Sequence, residues 1–172
     1  MRPRSRYLLT PALFSRVLGA ALCCAVVLCT TSCAKVNIIN TDVEDSPENR
    51  KVVEFCETYR HAVEERNVVL LLKLASDRYY EDGGNTNVED DMDYSGLKEY
   101  LASKFLNTKA IRYEIRYRKV SVTERNDVYV DYTFSASYRI PGSKGDEWRH
   151  TVADNRLVLV QVKDEYRIVS GM

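Results

Sequence analysis

The sequence predicts an α+β domain, in which three N-terminal helices pack on a curved four-stranded antiparallel sheet. Two observations support this fold class. Apolar residues recur at helical spacing before Asn107, and they alternate with polar residues at strand spacing after it. The length of 172 residues, with 45% hydrophobic and 29% charged residues, is typical of one globular domain.

The N-terminal end has the layout of a secretory signal, which we assign to residues 1–32. A mostly apolar, uncharged run extends from Val17 to Ala34, and no acidic residue occurs before Asp42. Four basic residues precede the run: Arg2, Arg4, Arg6 and Arg16. The basic and apolar regions together predict export across a membrane.

The end of this run resembles the lipobox of bacterial lipoproteins. Thr30 to Cys33 reads TTSC, with small residues before the cysteine, although Thr30 stands where an aliphatic residue is usual. The pattern predicts that Cys33 carries the lipid and holds the protein in the cell envelope. Because residue 34 is Ala rather than aspartate, the resemblance favours the outer membrane, facing the periplasm.

Two alternatives for the N-terminal end stay open. Cleavage after Ala34, at a small-x-small site, would give a soluble secreted or periplasmic protein without a lipid. A mitochondrial presequence would also suit a start that contains arginine and serine but no acid. The apolar run is, however, more continuous than that of an amphipathic transit helix.

Charge and ligand spacing exclude several classes of function. Without residues 1–32 the chain has 21 Lys+Arg against 25 Asp+Glu, a formal charge of −4, so we predict no nucleic-acid partner. His61 and His150 lack metal-ligand spacing. A calcium loop started at Asn85 would have Asp90 and Gly96 where glycine and glutamate are needed. We therefore predict no metal and no other cofactor.

The helical half is predicted to begin after a tether over residues 33–46, so that the domain covers residues 47–172. Ser46 offers an N-cap and Pro47 a first helical residue, and apolar spacing predicts a helix to about Arg66. Two further helices are predicted in the segments VVLLLKLAS and SGLKEYLASKF.

Four strands are predicted after the helices, in the segments IRYEIRYR, VYVDYTFSASYRI, EWRHTVADNRLVLVQV and YRIVSGM. Both faces of LVLVQV are apolar, with Val158, Val160 and Val162 on the side opposite Leu157 and Leu159. Only one of these faces can pack on the helices. We therefore expect a homodimer through the sheet.

The chain resembles the NTF2-like superfamily, which includes nuclear transport factor 2, SnoaL-like cyclases and ketosteroid isomerase. The resemblance extends from about Pro47 to Met172, and it rests on ERN before the second helix, on GLKEYL and on the ending LVLVQVKDEYRIVSGM. It implies a cone-shaped fold with a pocket between the helices and the concave sheet, and often a dimer through the sheet.

Within this resemblance, two positions match catalytic residues of ketosteroid isomerase. Tyr59 lies eight residues before Asn67, as the isomerase tyrosine precedes the cap of helix two, and Asp82 falls close to the general-base position. Asp82 would then move a proton alpha to a carbonyl while Tyr59 stabilised the oxyanion. Val158 stands where the isomerase has a protonated aspartate, so the third catalytic group is missing.

The strand tyrosines suggest a binding function instead. Four of them are predicted on the sheet face that turns toward the helices: Tyr113, Tyr117, Tyr132 and Tyr138. Phenols there make an apolar wall with polar tips, which suits a small amphiphilic ligand. Our first hypothesis is a non-catalytic, membrane-tethered module that binds such a ligand or an envelope partner. The alternative is a lyase or isomerase that uses Asp82 and Tyr59.

Overall fold

Three helices are followed in the chain by four long strands, as the change of period predicts. The computed structural model describes residues 35–84 and 88–172, of which Val36–Met172 form one compact unit. The predicted signal over 1–32 and the predicted lipid site at Cys33 lie outside the described residues. Among the described helices, none is long and apolar enough to cross a bilayer.

Each helix begins directly after a side-chain cap. The helices are α1 (Pro47–Glu64), α2 (Val68–Leu74) and α3 (Tyr94–Leu106). In each case a side-chain oxygen of the preceding residue accepts the backbone N–H three positions on, and these capping residues are Ser46, Asn67 and Asp93. Such a cap satisfies a backbone donor that the helix itself cannot pair. The predicted start at Pro47 is confirmed.

The main sheet is antiparallel, with its strands in chain order. It contains β3 (Ala110–Val122), β4 (Val128–Gly142), β5 (Gly145–Val162) and β6 (Glu165–Ser170), which confirms the predicted four-stranded sheet. A separate pair that the sequence did not predict, β1 (Tyr80–Glu81) with β2 (Met92–Asp93), lies at the two ends of residues 81–93, a segment rich in Asp and Glu that we call the acidic stretch.

The core lies between the helices and one face of this sheet. Buried residues of β4 alternate with less buried ones, and Val130 and Tyr132 are nearly inaccessible to solvent. Their partners in the core include Leu71 of α2 and Leu97 of α3. A bulge in β3 between Tyr117 and Lys119 shifts the register against β4, and bulges of this kind increase the local twist of a strand.

The segment predicted as a tether differs from that expectation. Asn37 and Glu44 form an isolated antiparallel bridge, and Val43 is only 2% exposed. The Asp42 N–H donates to the Tyr117 carbonyl at 2.9 Å, so the segment lies along β3. Periodicity could not indicate this docking, because the apolar residues of the segment follow no clear period.

Candidate binding site in the cone

Three tyrosines from different elements meet inside the cone. Tyr59 comes from α1, Tyr113 from β3 and Tyr132 from β4, and all three are buried. The rings of Tyr59 and Tyr113 are nearly perpendicular, with centroids 6.4 Å apart. Alternation on β3 and β4 aims these side chains at the helices, and Tyr59 lies on the buried face of α1. We call these three residues the phenol cluster.

The hydroxyl groups of the phenol cluster interact with one another, because each of them affects the pKa of the other two. The Asn155 side-chain amide adds a fourth member, because its Nδ2 donates to the Tyr132 hydroxyl at 3.0 Å. The same nitrogen donates to the Gly171 carbonyl at 3.1 Å. Asn155 therefore connects the cone interior to the end of the chain.

The phenol cluster consists of neutral hydrogen-bonding groups. Burial raises the pKa of Tyr59 well above its ordinary value, and it raises the pKa of Tyr113 and Tyr132 as well. Desolvation disfavours the charged form of a buried phenol, so these hydroxyls keep their protons at neutral pH. They can donate to a ligand oxygen or accept from a ligand hydroxyl, but they cannot serve as bases there.

The other two predicted pocket tyrosines lie elsewhere. The Tyr117 hydroxyl donates to Glu57 Oε1 at 2.8 Å, which directs it toward α1. Burial raises the pKa of Tyr117. Tyr138 is half-buried and lies opposite Ile111, nearer the β4–β5 turn. The structure thus brings Tyr113 and Tyr132 together with Tyr59, while Tyr117 and Tyr138 have different surroundings.

The last residues of the chain are held beside β1. Glu81 Oε2 accepts the Gly171 N–H at 2.6 Å and the Ser170 hydroxyl at 3.0 Å. The Tyr79 hydroxyl accepts the Met172 N–H at 3.2 Å, and burial raises the pKa of Tyr79 to about 12. These contacts, with that of Asn155, close one side of the cone next to the phenol cluster.

The predicted base Asp82 lies outside the cone interior. It is exposed, and its Oδ1 accepts the Gly84 N–H at 2.9 Å across a tight turn. Gly84 has a φ of +69°, a conformation that favours glycine. Tyr59, by contrast, is buried against Tyr113 and Tyr132. The structure therefore does not bring Asp82 and Tyr59 into contact.

Two polar residues of the site were missed by sequence reasoning. Asn155 stands two residues before Leu157 and four before Leu159, so strand alternation from these buried leucines places it on the inward face. A polar residue on the inward face of a strand was therefore the signal that could have identified Asn155 as part of the site. Glu81 was not predicted, because its contact with Gly171 joins residues too far apart in the chain for any local pattern.

The acidic stretch has local structural roles. Asp93 caps α3, and the Tyr80 hydroxyl donates to the Asp91 carboxylate between β1 and β2. Across residues 35–84 and 88–172, no group of three or more histidine, cysteine, aspartate or glutamate side chains could hold a metal ion.

Comparison with known proteins establishes the fold. No family model and no curated protein sequence matches the chain. Among solved structures it is similar to a ketosteroid isomerase-like protein from Erwinia carotovora atroseptica, with 12% identity over 74% of this chain and 95% of that one, at a TM-score of 0.57. It is also similar to a candidate dehydratase of the NTF2-like family from Streptomyces avermitilis, with 14% identity over 73% and 95% of the two chains, at a TM-score of 0.60.

A third similar structure is the Kfla4162 protein from Kribbella flavida, with 16% identity over 72% of this chain and 86% of that one, at a TM-score of 0.59. The chain therefore has the NTF2-like fold, as the sequence resemblance implies. Identities this low establish the fold alone, because one fold supports many unrelated activities.

Proposed function

We propose that this protein is a non-catalytic binding module whose cone takes a small amphiphilic ligand. The observation that supports the proposal is the phenol cluster, in which three neutral hydroxyls lie in an apolar core and the exposed Asn155 side-chain amide donates to one of them, that of Tyr132. A ligand with an apolar body and one carbonyl or hydroxyl group would find both kinds of surface there.

The carboxylates beside this site favour binding over catalysis. A general base must reach the proton that it abstracts, at about 2.6–3.2 Å. Glu57 already accepts from the Tyr117 hydroxyl and from Arg60, and Glu81 accepts from Gly171. Both carboxylates therefore already hold donors of the protein itself, and a substrate would have to compete with these donors.

Ligand entry would take place where the end of the chain closes the cone. The bonds from Asn155 and Glu81 to Gly171 are the contacts that a ligand would exchange for its own. The ligand's polar group would then bind the Tyr132 hydroxyl or the Asn155 amide, and its apolar body would lie along the tyrosine rings.

The binding proposal can be tested with the amphiphilic dye 1-anilinonaphthalene-8-sulfonate, titrated into the soluble Cys33→Ala protein. We expect saturable fluorescence, and an affinity about fivefold lower in Tyr132→Phe, as for one lost hydrogen bond. Tyr129→Phe is the matched control, because Tyr129 is the half-buried tyrosine on the other face of β4. Equal affinities in both variants, with intact circular dichroism, would refute the proposal.

We further propose that a lipid on Cys33 holds this module on the outer membrane, facing the periplasm. Support comes from the basic and apolar regions and from TTSC at Thr30 to Cys33. Cys33→Ala should move the protein from the detergent phase to the aqueous phase in a partitioning assay. Cys29→Ala, which alters a cysteine within the apolar run, should leave partitioning unchanged. Identical partitioning of both variants would contradict lipidation.

A lyase or isomerase activity that uses Asp82 and Tyr59 is the second candidate. The observation that favours it is the fold likeness to proteins named as a ketosteroid isomerase-like protein and a candidate dehydratase. In that case the protein should isomerise a β,γ-unsaturated ketosteroid, and Asp82→Asn should abolish turnover. We expect the wild-type protein to show only the background rate.

A further inference from the structure

One edge of the main sheet is open over most of a long strand. Strand β6 pairs with β5 only from Val158 to Val162. From Gly145 to Arg156 every residue of β5 is exposed, and β4 is its only strand partner among the described residues. The backbone groups on the far side of β5 are therefore available to another strand up to about Asp154.

The opposite edge of the sheet is covered at two positions along β3, Tyr113 and Tyr117. The Tyr113 N–H donates to the Glu64 carboxylate at 3.1 Å, and its carbonyl accepts from Arg60 at 3.3 Å. Further along β3, the Tyr117 carbonyl accepts the Asp42 N–H. The contrast between the two edges singles out β5 as the place where a strand can be added.

The open edge also carries exposed apolar side chains. Trp148 is 50% exposed and Val152 is 60% exposed, and no proline interrupts β5. Alternation places both side chains on the outer face of the sheet, opposite the phenol cluster, together with His150, Asp154 and Arg156. Edges that proteins protect against pairing are usually short, or are interrupted by proline or bulges. This one spans about 30 Å, at roughly 3.3 Å per residue.

We propose that the open edge of β5 pairs with the same edge of a second copy of this chain, antiparallel about a two-fold axis at Val152. In this register Val152 faces Val152 of the second copy, His150 faces Asp154, and Trp148 faces Arg156. These pairs are apolar with apolar, imidazole with carboxylate, and indole with guanidinium, all of which attract across neighbouring strands. Because of the two-fold axis, the imidazole–carboxylate pair and the indole–guanidinium pair each occur twice in the dimer.

Neighbouring registers lose this match. With the axis at Ala153, His150 would face Arg156 and Val152 would face Asp154. With the axis one residue before Val152, each of the two apolar side chains would face a polar one. Of the three registers compared, only the one with the axis at Val152 places attracting side chains opposite each other in the two copies. This complementarity selects a second copy as the occupant.

Contacts within one copy already order two of the edge side chains that take part in the proposed pairing. The Thr133 hydroxyl donates to Asp154 at 2.6 Å, and the Ser137 hydroxyl lies 3.0 Å from His150 Nδ1. Side chains that are ordered before association lose less entropy when they bind. The result would be a continuous eight-stranded sheet, and it would not depend on what the cone binds.

Disulfide trapping of the full-length chain in detergent tests the register. Directly opposed residues have Cα atoms about 4.5–5.5 Å apart, which suits a disulfide. Oxidised Val152→Cys should therefore give a cross-linked species of twice the chain mass. The controls are the wild-type chain, which accounts for the native cysteines, and Val122→Cys, whose site on β3 is 65% exposed. Neither control should form this species.

Sedimentation supplies the second measurement. Asp154→Arg would face His150 and should weaken the dimer about tenfold, while exchanging the two residues (His150→Asp with Asp154→His) should restore it. Glu114→Arg, an exposed reversal on β3, is the control. A wild-type monomer at micromolar concentration, a dimer without the Val152→Cys cross-link, or a cross-link to a different protein would each overturn the proposal.

Discussion

The two faces of β4 place adjacent residues in opposite environments. Tyr132 is 1% exposed, and its hydroxyl accepts from Asn155 inside the cone. Asp131 lies on the outer face, where its carboxylate accepts from Arg156 at 2.6 Å in contact with solvent. Both side chains are polar and both have a partner, so the difference between them is solvation.

This difference predicts which polar contacts stabilise the fold. A buried group that loses its partner costs about 1–3 kcal/mol, because water cannot replace the bond. An exposed ion pair contributes about 0–1 kcal/mol, because water and salt screen it. The neutral inner face should therefore tolerate substitution far less than the charged outer face.

The largest effect should follow truncation on the inner face. We expect Tyr132→Ala to reduce the free energy of unfolding by about 3–5 kcal/mol, since it removes a buried ring and leaves a cavity. Urea denaturation measures the change. Tyr129→Ala, on the outer face of the same strand, should cost clearly less. Equal losses in the two variants would show that the faces do not differ as proposed.

A second large effect is expected where the chain end closes the cone. A Cβ on Gly171 would lie 1.9 Å from the Arg156 carbonyl oxygen, and the φ of Gly171 is +93°. We expect Gly171→Ala to cost about 2–4 kcal/mol, from backbone strain together with overpacking. Gly84→Ala shares the positive φ, but its Cβ would meet nothing within 4 Å. If both variants lose the same free energy of unfolding in urea, the close approach of Gly171 to the Arg156 carbonyl does not contribute to stability.

Local patterns predicted the elements because each element has its own period or cap. Ser46 before Pro47 predicted the start of α1, and alternation between Val128 and Ile140 predicted β4. The structure differed from the prediction where strand alternation was interrupted. The bulge after Tyr117 changes the phase of β3, and no repeating pattern marks it in the sequence.

The site was less predictable, because it depends on contacts between residues far apart in the chain. Alternation placed Tyr113 and Tyr132 correctly on the inner face, but it could not show that they meet Tyr59. The contacts of Asn155 and Glu81 with Gly171 depend on how β6 returns beside β5 and β1. Such contacts follow from the assembled fold rather than from any single segment.

A smaller effect is expected from the outer-face ion pair. Asp131→Asn should change the free energy of unfolding by about 0–1 kcal/mol, because both partners contact solvent. The loss should also shrink as salt is raised, since screening weakens an exposed pair. A salt-independent loss of 2 kcal/mol or more, about what a buried bond contributes, would show that this face behaves like the inner one.

The smallest effect should be confined to the segment before α1. Arg116 and Arg118 donate to Asp42 at 2.8 and 3.0 Å, and these guanidinium groups hold the pKa of Asp42 below its ordinary value. A carboxyl with a depressed pKa stabilises the fold above its unfolded pKa of about 3.9. That contribution is lost as the pH falls through the folded value.

Acidification should therefore loosen this segment while the neutral phenol cluster is unaffected. Hydrogen exchange at the Asp42 N–H, which donates to the Tyr117 carbonyl, measures its docking. Between pH 6 and pH 3 we expect its protection, corrected for the intrinsic rate, to fall before that of Val130 in the core. Asp42→Asn should remove most of this pH dependence, because the amide does not titrate. If the variant keeps the wild-type dependence, another group controls the segment, and the Asp42 carboxylate does not anchor it.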